Sequence, residues 1–252
     1  MGKQEGDSCF VKVLSHYVEL TESERDTITA LEDDQRYFAK GKEVISEGES
    51  LQFVYIVSSG QLYSTTGTLR ATRLVTAIHH AGDCIGFHDL GFSHTTMSVT
   101  ATVDSSVCAI RKPALGKLTE REPRLFALLM ALATRDQVIL IDRLRCIAKL
   151  YAKDRVLHTL LHLLHRQRVT MGAEAVSFRL PMNQHLLGDY LALTNVSVSN
   201  ALSTLEREGV IERSGVQITL CDVDKSATDV AFVDRFAKLD TDWMETVGDS
   251  ST

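Results

Sequence analysis

Leu180-Pro181-Met182-Asn183-Gln184-His185-Leu186-Leu187-Gly188-Asp189-Tyr190-Leu191-Ala192-Leu193-Thr194-Asn195-Val196-Ser197-Val198-Ser199-Asn200-Ala201-Leu202-Ser203-Thr204-Leu205-Glu206-Arg207-Glu208-Gly209-Val210-Ile211 holds two short amphipathic patterns back to back. Asn183 suits the N-cap of a first helix and Thr194 that of a second, because each can accept a hydrogen bond from a backbone N–H of the first turn. Leu186, Leu187, Tyr190 and Leu191 give the first helix its apolar face, and Val198, Ala201, Leu202 and Leu205 give the second. Two short helices across a tight turn, the second polar on its outer side, form a helix-turn-helix pattern. Gly209 to Leu220 then alternates around Ser214-Gly215, as a small hairpin wing does.

The second helix presents Asn195, Val196, Ser199 and Asn200 in its first turns. Asn pairs with the adenine edge, Val meets the thymine methyl, and Ser accepts several bases. With Asn183, Gln184 and Thr194 at the helix starts, these are the candidate DNA contacts.

Upstream, Pro123 opens a run without glycine, with its proline where a helix accepts one. Leu125, Leu132, Ile139 and Cys146 recur every seven residues and Leu128 sits at a d-like position, so these five are the expected dimer seam. The later d positions, Arg135 and Asp142, are polar. An a-position Cys146 would face its symmetry mate within disulfide reach, which makes it a candidate redox switch; a buried inert thiol is the competing reading. A further helix is expected at about 151–167. Its His158, His162 and His165 include an i, i+4 pair able to bind metal, but they read as solvated surface histidines.

Further upstream, residues 40–112 read as strands. Phe53–Val57, Arg73–Ile78, Ser98–Val103 and Ser106–Ile110 are β-rich and separated by glycines, which argues for a sandwich or barrel. The fold class is therefore α+β: an N-terminal β-roll or jelly-roll barrel over 1–120, a dimerisation helix over 121–150, a winged helix-turn-helix over 151–222 and an acidic extension over 223–252.

Composition fits this reading. The chain of 252 residues is 44% hydrophobic, enough for packed cores. The formal charge of −6 divides unevenly: −5 over 1–120, +3 over 121–150, +1 over 151–221 and −5 over 222–252. Phosphate attraction depends on the local patch, and here that patch is weak. No run approaches a membrane span and no secretion signal is evident, so a cytoplasmic protein is expected. The five scattered cysteines make no disulfide framework. No Walker loop, G-x-S-x-G or H-E-x-x-H suggests an enzyme.

In order and detail the chain resembles the Crp/Fnr family of regulators over about residues 15–222. The barrel motifs are Gly41-Lys-Glu-Val-Ile-Ser-Glu-Gly48-Glu, Val57-Ser-Ser-Gly60-Gln-Leu and Ala81-Gly82-Asp83-Cys84-Ile85-Gly86. The DNA-domain motifs are Asn183 to Thr194 and Leu205-Glu-Arg-Glu-Gly209-Val-Ile211. The resemblance implies a homodimer on double-stranded DNA, RNA polymerase as a further partner of an activator, and a sensor pocket around Gly86, Phe87, His88, Thr95 and Thr96.

Two departures stand out. Family recognition helices carry a Glu and an Arg where this chain has Val196 and Asn200. Cyclic-AMP-binding members carry a Glu and an Arg in the pocket where this chain has Phe87 and Thr95, followed by Thr96. A buried phosphate without its cation is heavily penalised, so cyclic AMP is not the expected effector. Haem or a metal stays open, since His79, His80, Cys84, His88 and His94 cluster in this region and the CO-sensing member holds haem there through Cys and His. Here the Cys position is Gly86, which leaves Cys84 and His88 as weak metal candidates. Iron–sulfur members use several N-terminal cysteines; Cys9 stands alone. No cofactor is assigned; the expected signal at the barrel is an unidentified small molecule or a redox signal, with a barrel that takes no ligand as the alternative. A ligand-binding dimer with weakened DNA affinity and a scaffold dimer remain alternatives.

Overall fold

The computed structural model describes residues 8–67, 73–180 and 182–244, which form two compact units. The chain order is α1 (Cys9–Ser15), α2 (Glu22–Leu31), β1 (Gln35–Phe38), β2 (Glu43–Ile45), β3 (Phe53–Ser59), β4 (Gln61–Gly67), β5 (Arg73–His80), β6 (Cys84–Ile85), β7 (Ser98–Ala101), β8 (Ser105–Arg111), α3 (Lys112–Arg121), α4 (Pro123–Lys149), α5 (Ala152–Met171), β9 (Ser177–Arg179), α6 (Gln184–Leu191), α7 (Asn195–Arg207), β10 (Ile211–Ser214), β11 (Gln217–Leu220) and α8 (Val223–Asp229). The chain is of the α+β class, as expected.

In the first unit two four-stranded sheets face each other, ordered β1-β8-β3-β6 and β2-β7-β4-β5. Ile45, Val57, Leu62, Ile85, Val99, Ala101 and Val107 fill the space between them. Strands β3 and β8 are buried on both faces. Their alternate residues Val54, Ile56, Cys108 and Ile110 pack outward under Phe10 and Leu14 of α1, Ile28 of α2, Leu115 and Leu118 of α3, and the start of α4. Burial on both sides explains why Phe53–Val57 reads as an unbroken apolar run rather than an alternation. The β3–β4 turn needs Gly60: its φ is +82°, and a Cβ there would stand 2.6 Å from the Asp104 carbonyl oxygen. Helix α2 carries a capping box, with Thr21 Oγ1 accepting from Glu24 N–H and the Glu24 carboxylate from Thr21 N–H. Thr21-x-x-Glu24 is the sequence signature of that box.

The second unit comprises residues 67–76 and 136–237. Helix α5 is its centre: Val156, Leu157, Leu160, Leu161, Leu163 and Leu164 are all buried. Around it lie Leu187 and Leu191 of α6, Val198, Leu202 and Leu205 of α7, and Phe178, Ile218 and Leu220 of the sheet. That sheet has three strands, ordered β10-β11-β9, so the expected hairpin gains a third strand from residues 177–179.

Three expectations are corrected. The dimer seam expected on α4 faces inward: Leu125, Leu128 and Leu132 are at most 6% exposed and belong to the apolar cluster of the first unit. Cys146 is 3% exposed and lines a small cavity of the second unit, with half-buried Ile139 beside it. A seven-residue repeat marks an apolar stripe without saying which surface covers it. What stays open on α4 is another stripe, with Leu140 at 43%, Ile141 at 62% and Leu144 at 59% exposure. The α5 histidines are not solvated either; His158 is buried, and the segment after α8 lies against His158, His162 and His165. Finally, the candidate redox switch gives way to the competing reading of a buried, inert thiol, Cys146 being 3% exposed. Burial pushes its thiol up to about 11 against the pull of Arg155, Arg143 and Arg145, so little thiolate exists near neutral pH. At pH 8 iodoacetamide should label exposed Cys221 and leave Cys146 untouched until the protein unfolds, with the rate at Cys146 rising as pH approaches 11; peptide mass mapping reads both.

Candidate nucleic-acid interface and sensor pocket

Each helix of the pair is fixed at its N-terminus by the residue expected to cap it. Asn183 Oδ1 accepts from Leu186 N–H at 2.9 Å, and Thr194 Oγ1 accepts from Ser197 N–H at 3.1 Å. The turn between them is unusually close. A Cβ at Gly188 would stand 2.7 Å from the Leu193 carbonyl oxygen, so α6 and the turn touch only because that side chain is missing. Ala192 ends α6 in the left-handed region, φ 53° and ψ 45°, a conformation costing a non-glycine residue about 1–2 kcal/mol. Val198, Ala201, Leu202 and Leu205 bury the inner face of α7.

With that face buried, the first turn of α7 is presented outward. Asn195, Val196 and Asn200 are exposed, Val196 at 69%, and Ser199 is half-buried beside them. Thr194 and Asn183 are exposed and Gln184 is half-buried. The sequence reading passed over one neighbour: His185 of α6 is exposed, with Nε2 3.5 Å from Asn195 Nδ2. Its position one turn above the α7 cap is visible only in three dimensions.

The electrostatics match the weak charge footprint. Arg213 of the wing bonds Glu206 of α7 and holds that carboxyl below the usual range. Lys153 bonds Glu208 at 2.8 Å, with the same effect on Glu208. Arg213 and Lys153 are thus paired with carboxylates at the C-terminal end of α7 and its C-cap.

In the β-roll, the segment expected to hold an effector is closed by its own side chains. Gly86, at φ +90°, leads into a single 3-10 turn over Phe87–Asp89. Asp89 is 3% exposed and its carboxylate accepts from Thr96 Oγ1 at 2.6 Å and Thr96 N–H at 3.2 Å. His88 Nε2 lies 3.3 Å from the same carboxylate. Thr95 Oγ1 donates to the Ser46 carbonyl at 2.6 Å, and Phe87 packs against the helical side of the roll. The metal candidates Cys84 and His88 are not joined by a third ligand; among the described residues no three His, Cys, Asp or Glu could hold a metal ion together. His79 and His80 are instead hydrogen-bonded to Ser64 and Gln61, and His94 to Ser93. A cavity of about 320 Å³ that shares Thr95 with this segment opens beside it, lined also by Arg36, Ile45, Glu49, Phe53 and Tyr55.

A cyclic nucleotide-binding domain model matches residues 35–122 and a Crp-like helix-turn-helix domain model matches residues 154–225, the two pieces just described and in that order. The chain belongs to the Crp/Fnr family. The fumarate and nitrate reduction regulatory protein of Salmonella typhimurium is 28% identical to this Crp/Fnr chain over 219 residues, 87% of each. Its counterpart in Escherichia coli is 28% identical over 212 residues, 84% of each. The structure of FixK2 from Bradyrhizobium japonicum superposes with a TM-score of 0.68 at 26% identity, covering 77% of this chain and 95% of that one. Like its relatives, this Crp/Fnr protein is a DNA-binding transcription regulator with a sensory domain of the cyclic-nucleotide-binding type. No helix among its described residues is long and apolar enough to cross a membrane.

Proposed function

We propose that this regulator works in the cytoplasm as a homodimer on an inverted-repeat operator, and that its output is set at the β-roll by a signal other than cyclic AMP. The observation that carries the DNA reading is the capped, outward-facing first turn of α7 with Asn195, Val196, Ser199 and Asn200 on it. A two-fold dimer spaces two such helices about 34–36 Å apart, one turn of the duplex. Asn195 and Asn200 favour adenine and Val196 favours a thymine methyl, so the half-sites carry A·T pairs at the contacted positions. The exposed α4 stripe of Leu140, Ile141 and Leu144 serves as the dimer seam. RNA polymerase is the further partner where the regulator activates.

Selection from a randomised duplex pool tests the reading. The expected outcome is an A·T-containing inverted repeat, with Asn195→Ala or Asn200→Ala costing about 1–3 kcal/mol at the paired base. Asn200→Arg should raise affinity and steepen its salt dependence. A pool that enriches no site would leave a ligand-binding dimer in place of a regulator.

For the signal, Asp89 supports exclusion of cyclic nucleotides. Its carboxylate holds the Thr96 donors that a phosphate would need, and Phe87 and Thr95 supply no cation. A phosphate brought there would meet the buried Asp89 carboxylate where cyclic-AMP-binding members supply an arginine. Titration calorimetry with cyclic AMP should show no micromolar binding; a micromolar isotherm would overturn the claim. The 320 Å³ cavity is large enough for a small-molecule effector.

A further inference from the structure

The Crp-like helix-turn-helix match ends at residue 225, yet the chain continues along the second unit in an ordered path. After α8 it turns at Ala231, where φ is 49°, and Phe232 N–H bonds the Ala227 carbonyl at 2.9 Å. Phe232 and Phe236 then lie against the α5 histidines. The Phe232 ring sits 5.2 Å from His158 and 5.1 Å from His165, and the Phe236 ring 5.2 Å from His162. Between the two aromatics, Asp234 Oδ2 bonds His165 Nδ1 at 2.6 Å while Asp234 Oδ1 accepts from Phe236 N–H at 2.8 Å. Arg235 reaches the other way, to α4. Its guanidinium forks onto Asp142, Nε to Oδ2 at 2.7 Å and Nη2 to Oδ1 at 3.3 Å, beside the Arg145–Asp142 pair at 3.1 Å. Phe236 is 3% exposed. A segment held by two aromatic anchors, a histidine–carboxylate bond and a forked Arg–carboxylate bond is a built contact.

This contact joins the DNA-reading part through one cluster. A cavity of about 20 Å³, room for a single water, is bordered by Phe232, Val233, Arg235 and Phe236 of the segment and by Tyr190 of α6. Arg143, next to the Asp142 that Arg235 grips, stacks over the Tyr190 ring at 4.0 Å. Adjacent residues of α4 thus hold the C-terminal segment and the first helix of the helix-turn-helix.

We propose that Val230–Phe236 is a strap acting in cis, which clamps α5 to the C-terminal half of α4 and so positions α6 for DNA. The consequence for DNA rests on the operator reading above; the clamp itself does not. The full-length protein tests both, as wild type, Arg235→Gln, Asp142→Asn, the double variant and Phe236→Ala. Hydrogen exchange by mass spectrometry should show amides of 230–237 and of α6 exchanging about tenfold faster in each variant, with the double no faster than the single changes because they break one contact. Arg145→Gln, which leaves the Arg235 fork intact, should change neither segment. Affinity for the selected operator should fall about tenfold alongside. Faster exchange of the strap with α6 unchanged would overturn the positioning role, and additive single changes would overturn the pairing. If wild type binds no duplex, the operator reading falls while the exchange data still decide the clamp.

Discussion

Leu144→Asp will yield monomers that keep their fold, whereas Leu132→Asp will unfold the first unit. Leu144 is 59% exposed on α4; Leu132, twelve residues earlier, is 6% exposed. Burying a leucine contributes about 1.5–3 kcal/mol, and a two-fold seam counts the position twice. An aspartate also faces its own copy across the axis. The summed loss of about 5 kcal/mol or more raises the dimer dissociation constant by at least about a thousandfold. At Leu132 the same charge enters a packed core and costs about 4–5 kcal/mol of stability. Light scattering reads the first result and thermal melting the second. A Leu144→Asp protein with wild-type dimer affinity would move the seam off this stripe.

Arg143→Met is the second large effect. Arg143 is 8% exposed, and its guanidinium donates to the carbonyls of Val75 and Thr76 while lying over Tyr190. Burial raises the Tyr190 phenol and Arg143 draws it back, so the ring stays a neutral, electron-rich platform. Methionine fills much of the volume but removes both hydrogen bonds and the cation–π contact. We expect a loss of about 2–4 kcal/mol, a fall of about 1–2 M in the urea midpoint. Arg143→Lys should recover only part, since an ammonium cannot fork between two carbonyls and stack at once. A Met variant within 1 kcal/mol of wild type by urea titration would show that the buried cation contributes little.

The helix pair was legible because its signals are local. Asn183 and Thr194 cap within three residues, and the apolar faces of α6 and α7 repeat over two or three turns. The α4 repeat was just as visible, but periodicity records that Leu125, Leu132 and Cys146 are covered, not by what; tertiary burial took those positions and left Leu144 outside. The two-sided burial of β3 and β8 gave a run that could be read as a strand, while α1 and α2, which cover it, are short and weakly patterned. In the sensor, the absence of the family's Glu and Arg was readable. That Asp89 turns inward onto Thr96 depends on the 3-10 turn after Gly86, a backbone detail no spacing rule supplies. The strap went unseen for the same reason: an acidic tail looks solvated until its few aromatics find partners on another helix.

The pairing of Arg213 with Glu206 and of Lys153 with Glu208 bears on how the protein searches a genome. Non-specific residence on DNA comes from Lys and Arg side chains that neutralise phosphates and release their condensed counterions, and here Lys153 and Arg213 are already committed to carboxylates. On the proposed operator reading, random duplex should then hold the protein only briefly, and the operator should be reached mainly by repeated three-dimensional encounters. On the same reading, discrimination should fall to the base edges under Asn195, Val196 and Asn200. Occupancy of the true site should therefore change little when the cell's ionic strength shifts, and few molecules are lost to the rest of the chromosome.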